Sequence, residues 1–320
     1  MSGITDTERI KQWASEIGFD KVGVALVDIV STGANLAEWL LRGYHGGMSW
    51  MLNNAYRRLD PRCVLPGAKS VICVAVNYFT PGTQDGDGPK ISRGAWGADY
   101  HQVLGRMLKD LFGRIAGEWP NSANLWYVDT GPVMEKAWAQ RAGLGWVGKN
   151  DLLVSRDLGT WMFLGEIITT LELEPDLPEQ NHCGTCTRCI DACPTEAIVE
   201  PSVVDATRCI AYWTIEHRGE FPSGIADTFD GWVFGCDVCQ EVCPFNRFQQ
   251  ESALAGEFAV REELFPPGRW LSLTQEEFAR VSVSSPLRRA TLEGLKRNVR
   301  AVCPEPAQTG TAADSQGPGA

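Results

Sequence analysis

The sequence contains no apolar run of the roughly 18–20 residues that a membrane-spanning helix needs. Residues 1–6 carry neither a basic stretch followed by an apolar one nor a twin-arginine pair, so no export signal is visible. We therefore expect a cytoplasmic protein with no membrane partner. The sequence also lacks a P-loop, so no nucleotide site of that kind is indicated.

Basic residues are fewer than acidic ones, 29 Lys and Arg against 40 Asp and Glu, so the formal net charge is −11. This balance argues against a protein that coats nucleic acid with its whole surface, although it leaves room for a local basic patch. The apolar fraction of 44% and the charged fraction of 22% are those of an ordinary globular protein. A length of 320 residues allows two domains, or one large domain with an insert.

The first 173 residues alternate between helix and strand patterns. Thr5 and Glu8 form a capping box for the first helix, and Asp99 caps a long amphipathic one. We predict helices at 5–18, at 100–119 and from Pro132 onward, and strands at 21–27, 70–78, 125–128 and 161–173. This alternation predicts an α/β domain. A proline-rich linker at 174–179 ends it, and after about residue 300 the composition predicts a disordered tail.

Cysteine is abundant, and its spacing is informative. Of the 11 cysteines, eight lie within residues 183–243, and without an export signal metal ligation is the better expectation than disulfides. The run Cys183-x2-Cys186-x2-Cys189-x3-Cys193-Pro194 has the bacterial ferredoxin spacing. In that motif three cysteines hold one [4Fe–4S] cluster and the fourth reaches the other.

A second run, Cys236-x2-Cys239-x3-Cys243-Pro244, repeats the motif without its first cysteine, because Val233 stands there. Cys209 is the spare cysteine within the module and is the candidate for the missing ligand. The cross-over rule predicts two ligand sets. The first is Cys183, Cys186, Cys189 and Cys243; the second is Cys193, Cys209, Cys236 and Cys239.

A pair of structural zinc sites is the alternative, but zinc motifs do not carry this three-residue step ending twice in Cys-Pro. Cys73 lies in an apolar strand and is predicted to be a core residue. Cys63 and Cys303 receive no role. Two clusters at this spacing would pass electrons in series, and the large preceding domain is their expected destination.

Three further segments make the sequence recognisable. They are Val-Asp-Thr-Gly-Pro-Val-Met-Glu-Lys-Ala at 128–137, Arg-Ala-Gly-Leu-Gly-Trp-Val-Gly-Lys-Asn at 141–150, and Arg-Cys-Ile at 208–210. Together with the cysteine runs they closely resemble the epoxyqueuosine reductase family, over roughly residues 5–300. The resemblance implies reduction of epoxyqueuosine to queuosine at the tRNA wobble position, with electrons passing from the [4Fe–4S] clusters to cobalamin.

The resemblance also implies the architecture, an α/β (α+β) chain with a nitroreductase-like cobalamin domain, a bacterial-type double-cluster ferredoxin domain and a short helical C-terminal region. The expected boundaries are 1–173 for the cobalamin domain, 174–255 for the ferredoxin-like domain, 256–302 for the helical region and 303–320 for the disordered tail. The expected partners are tRNA carrying epoxyqueuosine and a low-potential electron donor whose identity the sequence does not reveal. We expect a monomer.

Asp129, the aspartate of the Val-Asp-Thr-Gly motif, is the family's proton donor. Without the resemblance it would be an ordinary turn residue at a strand end. An unperturbed aspartate has a pKa of about 3.9 and is ionised at neutral pH. We therefore expect apolar burial beside the corrin to raise the pKa of Asp129 and make it an acid.

Five residues that match family motifs are candidate cobalamin contacts. Each also has an ordinary interpretation, as a surface arginine, a turn serine, core leucines or an aspartate within a cluster motif. The candidates are Arg58, Ser92, Leu153, Leu164 and Asp237, and the proton donor Asp129 is also expected to contact the cobalamin. Asp99-Tyr100-His101 begins like the motif that supplies cobalt with a histidine, but Leu104 stands where that motif has glycine. We interpret this segment as a helix cap and expect cobalamin without a histidine ligand on cobalt.

Arg288, Arg289, Lys296, Arg297 and Arg300 are the expected tRNA contacts, because helical spacing groups several of them on one face. A generic charged helix has the same pattern. Lys149 is either a phosphate contact or a solvated turn residue. Two other functions stay open at this stage, a cobalamin-dependent reductive dehalogenase and an electron carrier without a substrate. The Val-Asp-Thr-Gly match and the basic segment favour tRNA modification.

Overall fold

A computed structural model of the chain describes residues 4–28, 33–82, 88–262 and 267–303. Most of the predicted tail lies outside these ranges. The helices are α1 (Asp6–Ile17), α2 (Gly33–Leu41), α3 (Trp50–Asn53), α4 (Ala55–Leu59), α5 (Tyr100–Glu118), α6 (Glu135–Arg141), α7 (Arg188–Asp191), α8 (Val238–Glu241), α9 (Ala255–Phe258), α10 (Gln275–Val281) and α11 (Thr291–Val302). The strands are β1 (Lys21–Leu26), β2 (Ser70–Asn77), β3 (Lys90–Ile91), β4 (Asn124–Tyr127), β5 (Trp146–Val147), β6 (Leu153–Val154), β7 (Met162–Thr169), β8 (Ile198–Glu200), β9 (Val203–Val204) and β10 (Trp232–Phe234).

A four-stranded sheet in the order β1-β2-β7-β4 is the centre of the N-terminal part. Each neighbouring pair is antiparallel, so the architecture is a mixed α and β fold built on an antiparallel sheet. Alternation of helices and strands along the sequence does not by itself fix strand direction, which long-range pairing decides. Both faces of the sheet are covered.

The two faces follow the period-2 alternation of β2. Ile72 and Val74 point into an apolar core that α1 and α5 complete. Cys73 points into the opposite core, against Trp138 of α6, and is 1% exposed. The prediction that Cys73 is a core residue is confirmed.

Two predicted helix starts are confirmed and one is wrong. Thr5 and Glu8 form the capping box of α1, and the Asp99 side chain accepts the His101 N–H at the start of α5. The helix predicted from Pro132 begins instead at Glu135. The reason lies in the preceding turn, where Asp129 adopts φ +57° and donates its N–H to the Glu135 side chain.

A third apolar core joins distant parts of the chain. Strand β10 pairs in parallel with β3. Ile91, Trp96, Val233 and Leu295 are all buried there, so the predicted cobalamin, ferredoxin-like and C-terminal segments share one core. The domain boundaries stay a prediction. No helix within the described ranges is long and apolar enough to cross a membrane.

Candidate active site

The eight clustered cysteines are unpaired in the structure, and their electrostatic neighbours fall into two groups. The charge of Cys183 raises the pKa of both Cys189 and Cys243, and the charge of Cys186 also raises the pKa of Cys243. Helices α7 and α8, which lie within the two runs and contain Cys189 and Cys239, pack against each other.

The second group contains Cys193, Cys209, Cys236 and Cys239. Cys236 interacts with Cys209 and Cys193, and Cys239 interacts with Cys236 and Cys209 and, most weakly, with Cys189 of the first group. In the described ranges no three His, Cys, Asp or Glu side chains gather around a single-ion position.

The two groups differ in depth. Burial raises the pKa of Cys189 and Cys243 in the first group and of Cys209 in the second, and it acts most strongly on Cys236, whose pKa rises to about 12, and on Cys239, whose pKa lies well above its usual range. Cys243, in the first group, lines an open cavity of about 810 Å³ together with Arg188 and Arg247. The first group therefore lies nearer to the surface.

The Gly-Trp-Val-Gly-Lys-Asn segment contacts both cysteine runs. Trp146 Nε1 donates to Cys183 Sγ over 3.4 Å, and Asn150 Nδ2 donates to the Cys239 carbonyl over 3.3 Å. Lys149 Nζ donates to the Gly184 carbonyl over 2.8 Å. Lys149 therefore links the sheet domain to the first cysteine run. Neither of its two expected roles, a phosphate contact or a solvated turn residue, includes this hydrogen bond.

The structure brings Ser92 and Asp237 together. Asp237 is 2% exposed; its Oδ1 accepts the Ser92 hydroxyl over 2.7 Å and its Oδ2 accepts the Arg93 N–H over 2.6 Å. Burial outweighs these hydrogen bonds and raises the pKa of Asp237 to about 6. Because Asp237 lies between Cys236 and Cys239, it connects the deeper cysteine group to the Ser92 segment.

Arg58 lies against the loop that follows Asp129. Its Nη1 lies 3.3 Å from the Gly131 carbonyl and 3.4 Å from that of Val133. Its Nε is buried and has no hydrogen-bond partner among the described residues. Leu153 and Leu164 lie together elsewhere, in the apolar core on the α6 face of the sheet.

Asp129 itself forms a hydrogen-bonded chain with His101 and Asp99. Its Oδ2 lies 3.2 Å from His101 Nε2, and His101 Nδ1 lies 2.7 Å from Asp99 Oδ1. The Asp129 side chain is 56% exposed. The ring is therefore held between two carboxylates at an open edge of the fold.

These hydrogen bonds shift the pKa of Asp129 in the direction opposite to the one expected. Desolvation acts to raise the pKa of Asp129, but the hydrogen bond and the charge of His101 outweigh it and hold that pKa below its usual value. Desolvation likewise acts to lower the pKa of His101, whereas Asp129 and Asp99 raise it to about 9. The proton expected on Asp129 resides on the imidazole instead.

The role of the His101 ring was not predicted from the sequence. The helix-cap interpretation of Asp99-Tyr100-His101 is confirmed, since Asp99 Oδ1 accepts the His101 N–H over 2.9 Å. The same oxygen also holds the imidazole. A histidine two residues after a capping aspartate was a signal that this ring has a fixed orientation.

Two buried glutamates lie behind Asp129. Glu135 Oε1 accepts the Asp129 N–H over 2.6 Å. Glu166, on β7, is 0% exposed, and neither of its oxygens has a hydrogen bond of acceptable geometry to a described donor. Burial and the charge of Asp129 raise the pKa of Glu135 to about 7, and burial and the charge of Glu135 raise the pKa of Glu166 well above its usual range.

The predicted basic segment is divided by the structure. Arg288 and Arg289 lie in a 3-10 helix (Pro286–Ala290). The charge of Arg288 acts to lower the pKa of Asp99, and Arg289 interacts electrostatically with Asp129. The Arg297 guanidinium donates to the carbonyls of Trp213, His217 and Gly219, and lies 4.0 Å from the Phe221 ring centroid. Arg297 is committed to internal packing, so the charges do not form one helical face.

Two regions of the chain match known protein families. Residues 182–246 match the "4Fe-4S double cluster binding domain", and residues 58–130 match the family described as "Epoxyqueuosine reductase QueG, DUF1730". The chain is thus an iron–sulfur protein. It is 50% identical to an epoxyqueuosine reductase of Synechocystis sp. over 83% of this chain and 93% of that protein. It is 49% identical to one of Gloeobacter violaceus over 91% of this chain and 94% of that protein.

The chain belongs to the epoxyqueuosine reductase family, whose members are oxidoreductases of tRNA modification. Solved structures agree. An epoxyqueuosine reductase bound to an epoxyqueuosine-modified tRNA-Tyr stem loop has a TM-score of 0.85 and 29% identity, covering 92% of this chain and 80% of that one. The enzyme from Bacillus subtilis, with its catalytic aspartate loop swung out of the active site, has a TM-score of 0.83, 28% identity and the same coverage.

Proposed function

We propose that this chain reduces epoxyqueuosine to queuosine at the wobble position of tRNA. The observation that carries the proposal is the 50% identity to an epoxyqueuosine reductase over 83% of the chain. Conversion of the epoxide to an alkene consumes two electrons and two protons and releases the epoxide oxygen as water. When bound, the two [4Fe–4S] clusters supply single electrons and cobalamin supplies a cobalt centre that combines two of them.

The chain's part in electron supply is to hold the clusters. Cys183, Cys186, Cys189 and Cys243 hold one cluster, and Cys193, Cys209, Cys236 and Cys239 hold the other. The electrostatic grouping of the thiols supports this division. The greater burial of the second group supports a path that enters at the first group, from a low-potential donor, and ends nearer to cobalamin.

The described residues suit a cobalamin site in a nitroreductase-like domain. The buried, unpartnered Nε of Arg58 is a donor available to a polar group of the corrin. Ser92 and Asp237 offer polar atoms beside the deeper cysteine group, and Leu153 and Leu164 offer apolar surface. His101 has both ring nitrogens engaged by carboxylates, which supports cobalamin bound without a histidine ligand.

The proton donor is Asp129, working with His101. With the pKa of His101 near 9, the pair carries a proton at neutral pH. As the carbon–oxygen bond breaks, His101 Nε2 passes its proton to Asp129, which delivers it to the departing oxygen; the pair is left as a neutral imidazole and a carboxylate, and solvent supplies the second proton of the released water. General acid catalysis of this kind contributes about 10²–10⁴-fold to a rate.

Turnover of modified tRNA tests the proposal. Anaerobically reconstituted protein, loaded with cobalamin and given a low-potential chemical reductant, should convert epoxyqueuosine-tRNA to queuosine-tRNA, as measured by nucleoside mass spectrometry. Protein without cobalamin is the control. An unchanged nucleoside in fully loaded protein would overturn the proposal. We also propose that the chain acts as a monomer, which sedimentation in the presence of tRNA tests.

A further inference from the structure

Two aromatic rings stand exposed on the short helices α3 and α4. Trp50 is 38% exposed and Tyr56 is 58% exposed. Each is accompanied by a guanidinium group. That of Arg289 lies 4.9 Å from the Trp50 ring centroid, and that of Arg57 lies 5.8 Å from the Tyr56 ring centroid. The two pairs present flat apolar faces next to positive charge.

Both pairs are attached to the Asp129 site. Arg58, the next residue after Arg57, contacts the Gly131 carbonyl in the Asp129 loop over 3.3 Å. Arg289 interacts electrostatically with Asp129 and Tyr100. Trp50 is therefore linked to the surroundings of Asp129 through Arg289, and Tyr56 through the Arg57–Arg58 segment.

The Arg289 guanidinium has a defined orientation. Glu216 accepts from Arg289 Nε over 3.0 Å and from Nη2 over 2.7 Å. This two-point contact holds the guanidinium plane beside Trp50 while 52% of the side chain stays exposed. A guanidinium held in this way can take one phosphate oxygen or stack on one base.

We infer that Trp50, Tyr56, Arg57 and Arg289 form a docking rim for the unpaired nucleotides on either side of the wobble nucleotide. This inference rests on the proposed function, because it takes tRNA as the substrate. Aromatic and guanidinium planes stack on exposed bases, and arginines neutralise phosphates. A nucleotide that enters the Asp129 site leaves its stack, so its neighbours gain from a replacement platform.

Charge favours a nucleic acid over a protein partner at this rim. Arg58 and Arg289 interact electrostatically with Asp129, and Arg288 interacts with Asp99, on a chain whose net charge is −11. A local concentration of arginine on an acidic body steers phosphates to that place and weakly repels them elsewhere. Arg297 is one of the predicted tRNA contacts, but its guanidinium donates to main-chain carbonyls inside the fold. The rim supplies positive charge for tRNA in its place.

Binding of an anticodon stem loop to the cluster-loaded protein tests the inference separately from turnover. Fluorescence anisotropy with an unmodified stem-loop RNA should show that Trp50→Ala and Tyr56→Ala each weaken Kd about 5- to 100-fold. Tyr56→Phe keeps the ring and should bind like wild type. Arg57→Gln should lower the slope of log K against log salt by about 1.

Two substitutions serve as controls. Phe248→Ala removes an exposed ring beside the first cysteine group, and Arg114→Gln removes a charge 13 residues along α5 from His101, about 20 Å away. Both should leave Kd unchanged. A stem-loop with 2-aminopurine next to the wobble position should lose its quenching in Trp50→Ala, which a purely structural defect with intact binding would not cause.

Wild-type affinity in Trp50→Ala, Tyr56→Ala and Arg57→Gln would overturn the inference while leaving the proposed reaction intact. Absence of stem-loop binding by the wild-type protein would overturn the inference too, and only the turnover assay then decides the reaction. A change of oligomeric state in the rim variants, with RNA affinity preserved, would make the rim a protein interface and also reject the inference.

Discussion

The main-chain N–H of Asp129 donates a hydrogen bond to Glu135 Oε1 over 2.6 Å, and the backbone of Asp129 adopts φ +57°. A residue with a side chain is uncommon in this left-handed region, so a specific contact must hold it there. The Glu135 carboxylate is that contact. In the Bacillus subtilis relative the catalytic aspartate loop is found swung out of the active site.

Glu135 is therefore predicted to be a positioning residue. Glu135→Ala removes the acceptor for the Asp129 N–H, and we expect the single-turnover rate to fall about 10-fold or more, because misplaced catalytic groups lose rate steeply. The Kd for tRNA should stay near wild type. Glu135→Gln retains an acceptor oxygen and should recover most of the rate. A wild-type rate in Glu135→Ala would contradict this role.

Glu166 is predicted to make stability depend on pH. Its folded pKa lies well above the ordinary value of 4.5, so the folded protein keeps a proton that the unfolded chain releases. Stability is then highest below about pH 4.5 for this group, and it falls as pH rises toward and beyond neutrality. Glu166→Gln should remove that loss and raise stability at pH 8 by on the order of 1–3 kcal/mol.

Thermal unfolding of cluster-loaded protein at pH 5 and pH 8 measures this effect. The difference in Tm between Glu166→Gln and wild type should be larger at pH 8. Glu172→Gln, an exposed glutamate paired with Lys69, is the control and should show no such gain at pH 8. A Glu166→Gln variant less stable than wild type at pH 8 would mean that the native carboxylate is ionised and satisfied.

His101 is predicted to titrate near pH 9, because two carboxylates hold its imidazolium. Asp129→Asn should lower the pKa of His101 toward the ordinary value of 6.5. The chain has only 4 histidines, so NMR of histidine-labelled protein can follow each ring, with His101→Gln assigning the signal. Since the folded pKa is raised, the ion pairs stabilise the fold fully below about pH 6.5 and lose this effect as pH rises through about 9. An unchanged pKa in Asp129→Asn would contradict the pairing.

Cys209 is predicted to be the fourth ligand of the deeper cluster, although it lies outside both cysteine runs. Cys209→Ala should lower bound iron and sulfide by about four each per chain, or leave a cluster with altered EPR signals. Cys303→Ala changes an exposed cysteine outside the module and should keep full content. Full, spectroscopically unaltered clusters in Cys209→Ala would reject the assignment.

Local signals in the sequence predicted much of the fold. The Thr5–Glu8 capping box, the β-branched run of β2 and the Asp99 cap each depend on residues a few positions apart, and the structure contains all three. The expected family is confirmed as well, because its motifs are long. The cysteine spacing has the same local character.

Long-range contacts account for what the sequence did not reveal. His101 and Asp129 are 28 positions apart, and the ion pair between them reverses the expected shift in the pKa of Asp129. Strand β10 pairs with β3 from more than a hundred positions away, and Arg289 reaches Trp50 over a still longer separation. Tertiary packing decides such contacts, and no local pattern encodes them.

Asp129 is the proposed proton donor for epoxide reduction in a tRNA substrate. Single-turnover conversion of epoxyqueuosine-tRNA by Asp129→Asn, followed by nucleoside mass spectrometry, tests it most directly. We predict wild-type iron content, cobalamin content and tRNA affinity, with a rate lowered about 100-fold or more. A fully loaded Asp129→Asn protein that forms queuosine at the wild-type rate would contradict the account.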